Sequence, residues 1–325
     1  MASDQSKSDN EESVAARGYY GLPVLKTPVW RWEVWSYFFL GGLAAGSFVV
    51  ASLARMFGDE RDRSVSRAGY LISLAAVLLC PPLLIKDLGR PGRFLNMLRV
   101  FKPESPMSVG VWGLLSFSAC ASLAASRELF GDRRGPLGAL ARLIPPRGIA
   151  AIGTAMAILL GGYTGVLLSV TSVPLWSRSR LLGPAFLASA ISSGLSAITL
   201  ALSVRTGNSD SSVQKLDRLK LVAISAEAAA LAGFVRSTDR AARPLLDPEQ
   251  YGRQFIAGAI GLGLIVPAVA GLIPSARGRR SSVLASMCGL LGGVLLRYAV
   301  VEGGRVSAED PEATFWHTDL PPGKE

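Results

Sequence analysis

"WRWEVWSYFFLGGLAAGSFVVASLA", residues 30–54, sets three tryptophans around one carboxylate, Glu33, and then reaches Ala54 without another charge. A helix of about 20 mainly apolar residues crosses the roughly 30 Å of bilayer hydrocarbon. Tryptophan at the start of such a run belongs at headgroup level. The stretch therefore predicts a membrane-spanning helix, and the rest of the sequence repeats the pattern. Apolar runs of spanning length fall at roughly 33–54, 68–86, 106–126, 148–171, 181–204, 218–236, 254–273 and 281–301. The sixth is the shortest and carries Glu227. The expected fold is an all-α integral membrane bundle of about eight transmembrane helices. It divides into a polar tail and lead-in (1–29), the helical domain (30–304) and an acidic tail (305–325).

Composition agrees. Of 325 residues, 50% are apolar and 18% charged, with a mean hydropathy of +0.36. A soluble domain carries about 25% charged residues. The net charge of +10 comes from basic residues in short gaps between apolar runs, the pattern of membrane loops and not of a nucleic-acid surface. The single histidine, His317, lies in the C-terminal tail. A bis-histidine haem, a His-ligated zinc site and a Ser-His-Asp triad each need a histidine among other functional groups. Cys80, Cys120 and Cys288 sit in three separate runs and cannot supply four thiolates to an iron–sulfur cluster. Any redox metal is therefore expected in a partner subunit.

Eight spans put both termini on one side, here side A. The loops on side A together with the adjoining span ends carry 11 Lys and Arg residues, and those on the opposite side B, counted likewise to include Arg218 and Lys220, carry 16. The positive-inside rule makes side B cytoplasmic and both termini external. Within the spans, Gly42-x-x-x-Gly46, Gly161-x-x-x-Gly165 and Gly289-x-x-x-Gly293 set small residues one turn apart, which lets helices approach closely in lipid.

The loop "KDLGRPGRFLNMLRVFKPESPMSVGVW" (86–112) reads as an interfacial shelf. Gly89 and Pro91 end the second span. Phe94, Leu98 and Phe101 then face one way and Arg93, Asn96 and Arg99 the other, as in an amphipathic helix. Ser105 followed by Pro106 is a helix start. Arg90, Arg93 and Arg99, beside Asp87, are candidates for docking a partner or a lipid headgroup; ordinary anchoring is the alternative.

Six other residues carry possible chemistry. Glu33 and Tyr37 share a helix face at the side-A opening of the first span. Glu33 is a candidate proton acceptor there, or else a helix-start carboxylate satisfied by the dipole. Tyr163 and Thr164 sit between glycines in the fourth span, where a buried phenol needs a hydrogen-bond partner. Glu227 lies mid-span, where a charge costs on the order of 2.5–3.5 kcal/mol. It is read as a proton relay or as a structural carboxyl bonded to a neighbouring helix. Arg297 either pairs with an acid such as Asp87 or snorkels toward headgroups.

"FFLGGLAAG", "DLGRPGRF" followed by "SPMSVGVW", "YTGVLLS" with a following "PLW", and "GGVLLRYAVVEGG" together resemble the NrfD-type membrane subunit of the polysulfide reductase family, from about Trp30 to Gly304. The "DLGRP…SPMS" pattern is the most specific part. The resemblance implies an eight-helix subunit of a respiratory molybdopterin-type oxidoreductase in a bacterial cytoplasmic membrane, with no haem or iron–sulfur cluster of its own. It implies an exchangeable quinone, menaquinone or ubiquinone, and two partners: a four-cluster ferredoxin-like iron–sulfur subunit and a molybdenum- or tungsten-pterin catalytic subunit. It places the quinone near the docking face, between polar residues at the start of the first helix and a tyrosine of the fourth. Glu33, Tyr37, Asp87, Tyr163 and Thr164 are the matching positions here, with Glu33, Asp87 and Glu227 as proton-transfer candidates. A family member has Asn and His where this sequence has Trp32 and Glu33. A polytopic transporter, or an anchor without quinone chemistry, stands as the alternative.

Overall fold

The computed structural model describes residues 25–89, 92, 94–131, 135–205, 211–273, 278–310 and 313. Arg90, Pro91, Arg93, His317 and the tail 1–17 lie outside the described residues, as does most of 305–325 beyond Asp310.

Among the described residues the bundle has eight long helices. They are α1 (Trp32–Phe57), α2 (Glu60–Asp87), α3 (Pro106–Phe130), α4 (Pro146–Ser169), α5 (Leu182–Arg205), α6 (Ser211–Thr238), α7 (Arg253–Leu272) and α8 (Arg279–Glu309). Seven are long and apolar enough to cross a membrane; α6 is not among them. Its 28 residues suffice in length. Its first turns, "SSVQKLDRLK", and Glu227 lower its apolar character. The polar side chains Lys220 and Glu227 are nevertheless each only 4% exposed, because α6 packs along α5. Lys220, a side-B end charge of the sixth apolar run by sequence, is thus a core residue that donates to Ser286 at 3.1 Å.

Local sequence explains the helix ends. Ser105 caps α3 by accepting from the Ser108 amide, with Pro106 at the first position, as expected. The short helix Phe94–Arg99 has Phe94 and Leu98 half-buried and Asn96 and Arg99 exposed, the expected amphipathic pattern. Phe101 lies beyond its end and meets Trp112 edge-on at 6.1 Å. α2 is interrupted at Leu79, between Arg63–Leu78 and Cys80–Asp87. Pro81 and Pro82 lack the donors that would continue the helical ladder there. Residues 253–265 of α7 wind as a π-helix. Pro267, two residues further on, again removes a donor.

α1 and α2 are antiparallel. Gly58 meets Asp62, Gly69 meets Ala51, Gly41 meets Cys80, and Glu33 meets Lys86. The glycine stripes all converge on one helix. Gly46 of α1 abuts the backbone of Ala190, Gly165 of α4 that of Leu182, and Gly289 and Gly293 of α8 face Ser196 and Ser193. All these partners are on α5, which is therefore the hub of the bundle. Around it, Phe38, Phe48, Phe117, Phe186, Leu160, Leu168 and Trp176 form a continuous buried core.

At the Glu33 end, α1, α8 and the loop after α4 are tied together. Trp30 stacks on Trp176 at 5.1 Å, Trp176 Nε1 donates to the Val300 carbonyl at 2.8 Å, and Ser307 Oγ accepts from the Leu175 amide at 3.2 Å.

Candidate functional site

The sequence-predicted residues separate into two groups. The first is a corner at the side-A end, built from the start of α1, the end of α2 and the meeting of α3 with α4. Glu33, in the first turn of α1, is 4% exposed. Its Oε1 lies 3.3 Å from Lys86 Nζ. Its Oε2 is buried without a hydrogen-bond partner. Lys86 also rests over the Trp32 ring, 4.3 Å from its centre. The break at Leu79 matters here, since the segment Cys80–Asp87 that follows it carries Lys86 to Glu33.

Asp87 is exposed and close enough to Glu33 for their charges to interact. Tyr37, one turn inward from Glu33, is 4% exposed and lies within electrostatic range of Tyr163. The Tyr163 hydroxyl donates to the Pro106 carbonyl at the first turn of α3. Its ring fills the space that a side chain at Gly110 would take. Toward a ligand, Tyr163 can accept a hydrogen bond; to donate one it must leave Pro106. Thr164 is buried at 2% on the α4 face that carries Gly161 and Gly165 toward α5. Arg99 is exposed on the short interfacial helix.

Sequence reading singled out Glu33 and Asp87 but gave Lys86 no role. The signal was present: a lysine beside an aspartate at the end of one span, facing a glutamate at the start of an antiparallel neighbour.

The second group lies inside the bundle. Arg297 of α8 is 1% exposed and does not meet Asp87. Its guanidinium donates to Ser189 Oγ at 2.5 Å, to the Phe186 carbonyl at 3.1 Å and to its own helix at Gly293. It also lies over the Phe186 ring at 5.1 Å. Snorkelling is excluded by this geometry, since the charged end is held by α5. Glu227 of α6 accepts from Ser192 Oγ at 2.5 Å, and its charge interacts with that of Arg297. A serine-lined polar cluster, holding a carboxyl and a guanidinium that each bond to a serine of α5, therefore sits between α5, α6 and α8.

The polar side of α5 continues from it through Ser193, Ser196 and Thr199 to Ser203, which meets Ser282 of α8 at 3.4 Å. From Ser189 to Ser203 the rise is about 21 Å. The hydroxyls of Ser193 and Thr199 have no partner. Among the described residues, no group of three or more His, Cys, Asp or Glu side chains is arranged to hold a metal ion.

This architecture has known relatives. The family profile described as "Polysulphide reductase, NrfD" matches residues 24–308. "Protein NrfD" of Escherichia coli is 28% identical over 307 residues, covering 86% of this chain and 96% of that protein. The C subunit of the polysulfide reductase of Wolinella succinogenes is 31% identical over 306 residues, covering 86% and 95%. The "Hdr-like menaquinol oxidoreductase integral membrane subunit" of Archaeoglobus fulgidus is 25% identical over 154 residues, 47% of this chain and 36% of that protein. A multi-pass helical bundle matched over nearly its whole length by that profile belongs to the NrfD polysulphide reductase family of membrane subunits.

Proposed function

We propose that this protein is the quinone-reactive membrane subunit of a respiratory oxidoreductase, with the quinone held at the Glu33–Lys86 corner. The observation that carries the reading is Glu33 itself. A buried carboxylate with one oxygen held by Lys86 and the other unpartnered is costly unless a ligand or proton uses it. On this reading the aromatic rings of Trp32 and Tyr37 flank the quinone head, and Glu33 and Asp87 take protons near its ring oxygens. A bound quinone supplies two-electron, two-proton chemistry. Lys86 orients Glu33, and Tyr163 fixes the α3–α4 wall through Pro106.

Electrons pass to or from an iron–sulfur subunit docked on side A, which serves a molybdenum- or tungsten-pterin subunit. The names of relatives, a polysulfide reductase subunit and a menaquinol oxidoreductase subunit, support both the quinone and the multi-subunit setting. Arg99 belongs to the docking surface on this reading, as do Arg90 and Arg93. Glu227, with Arg297 and the serines of α5, forms a polar column suited to passing protons across the membrane. The membrane is the bacterial cytoplasmic membrane, with both termini external.

The test is Glu33→Gln in the assembled complex. Quinone-linked turnover falls at least about tenfold, in the range of a lost general acid–base group. Quenching of tryptophan fluorescence by a quinone analogue weakens alongside it. Turnover and quenching both at wild-type levels reject the corner as the quinone site.

A further inference from the structure

At the end of the bundle opposite Glu33, a cavity of about 790 Å³ lies between the end of α1 and the starts of α2 and α4. Three helices each send one arginine to it: Arg55, Arg63 and Arg147. The α1–α2 turn adds Asp59 and Glu60. Arg55 lies 3.7 Å from Glu128, and Asp59 lies 3.5 Å from Lys215.

Two further features face the same space. α4 begins here without a capping side chain, and the Arg147 and Gly148 amides have no acceptor within the helix. The dipole at that end favours an anion. Independently, Ser66 of α2 lines the cavity, is 1% exposed, and its hydroxyl has no partner. A buried hydroxyl without a partner costs free energy that a ligand oxygen would recover. Guanidinium groups, helix amides and an orphan hydroxyl call for a multivalent oxyanion, and phosphate fits them. Asp59 and Glu60 on the same lining call for a cation close to that oxyanion.

The depth is also right. α1 runs 26 residues, about 39 Å, so its last turn reaches headgroup level when Trp32 lies at the opposite surface. We propose that this cavity binds the phosphate of an amine-bearing phospholipid headgroup in the side-B leaflet. The arginines, the α4 amides and Ser66 hold the phosphate, while Asp59 and Glu60 take the ammonium. The site is separate from the Glu33 corner and does not depend on quinone chemistry.

The test uses the delipidated full-length protein in detergent. The probes are inorganic phosphate, short-chain phosphatidylethanolamine and short-chain phosphatidylglycerol. Binding is followed by the thermal unfolding midpoint and by native mass spectrometry. Phosphatidylethanolamine binds best, and Arg147→Gln and Ser66→Ala each weaken it. The Arg147 effect is at least about tenfold, the weight of one charge-assisted hydrogen bond. Arg67→Gln, a neighbouring exposed arginine outside the cavity, leaves binding unchanged. If Arg147→Gln does not accumulate, Ser66→Ala carries the comparison. Inorganic phosphate binding as tightly as the lipid overturns the lipid assignment in favour of free phosphate. Phosphatidylglycerol binding as tightly as the amine-bearing lipid overturns the role given to Asp59 and Glu60. No binding by any probe, or none of it lost in either variant, overturns the site.

Discussion

Replacing Glu227 with glutamine tests whether the charge pair inside the bundle is real. The substitution keeps the side chain's size and its capacity to accept from Ser192, whose oxygen is 2.5 Å away. It removes the charge and turns one acceptor oxygen into an NH2 donor. Arg297, 1% exposed, then has hydrogen bonds to Ser189 and the Phe186 carbonyl but loses the opposing charge. Breaking a buried pair by removing one partner costs about 3–5 kcal/mol. Serine hydroxyls stand between these two groups, so the lower figure, about 3 kcal/mol, is the appropriate one. That corresponds to roughly a hundredfold shift in the unfolding equilibrium.

The assay is reversible unfolding of the purified protein in mixed detergent micelles, run as a double-mutant cycle with Arg297→Met. Each single variant is destabilised. The double variant loses less than the sum of the two, with a coupling of about 2 kcal/mol, inside the range for residues in one network. If Glu227→Gln has wild-type stability and the two changes are additive, Glu227 rests protonated and the electrostatic account of this cluster is wrong.

Two more outcomes follow from packing. A methyl group at Gly46 would overlap the Ala190 carbonyl, so Gly46→Ala costs about 1–3 kcal/mol in the same unfolding assay, while Gly278→Ala, facing open space, costs far less. Trp176→Phe removes the indole N–H that donates to the Val300 carbonyl and weakens the stack on Trp30; it loses about 1–2 kcal/mol, and unchanged stability would show that the side-A tie is not needed.

The span pattern was legible because bilayer thickness imposes a length, and each run meets it independently of its neighbours. The glycine stripes were legible as contact faces, but their shared partner was not. That α1, α4 and α8 all bring glycines to α5 depends on how the helices are arranged around one another, which periodicity within a helix does not encode. The caps at Ser105 and Pro106 are local and were readable. Glu33, Asp87 and Tyr37 stood out as polar groups at a span opening. Lys86 did not, because a lysine at a span end is ordinary until its antiparallel partner is known. Arg297 was misjudged for a related reason. Snorkelling suits an arginine facing lipid, and only the packing of α8 against α5 tells which way this one faces. The sixth span was counted from its apolar centre, whereas its polar groups are accommodated by burial against α5.

The relation between the two polar groups constrains the proposed chemistry. α1 is a wall of both: Glu33 lies at the corner, and Gly42, nine residues on, approaches the Arg297 guanidinium, where a Cβ would come within 3.2 Å. Nine residues of helix span about 13 Å. Along that distance Phe38 is 1% exposed, and its ring meets that of Phe186 at 6.5 Å. Phe186 in turn lies against the guanidinium. Two aromatic rings, which neither donate nor accept protons, thus pack beside the guanidinium on the α1 side of the cluster. On the proposed chemistry, a proton released near Glu33 has two courses. It leaves to the side-A surface past exposed Asp87, or it reaches Glu227 through a rearrangement of the α1–α5 contact that carries these rings. The first makes quinone turnover independent of Glu227; the second makes α1 and α5, joined at Gly46 and Ala190, the elements whose motion couples them. Quinone-linked turnover in the Glu227→Gln complex distinguishes the two, since only the second requires turnover to fall with the loss of that carboxyl.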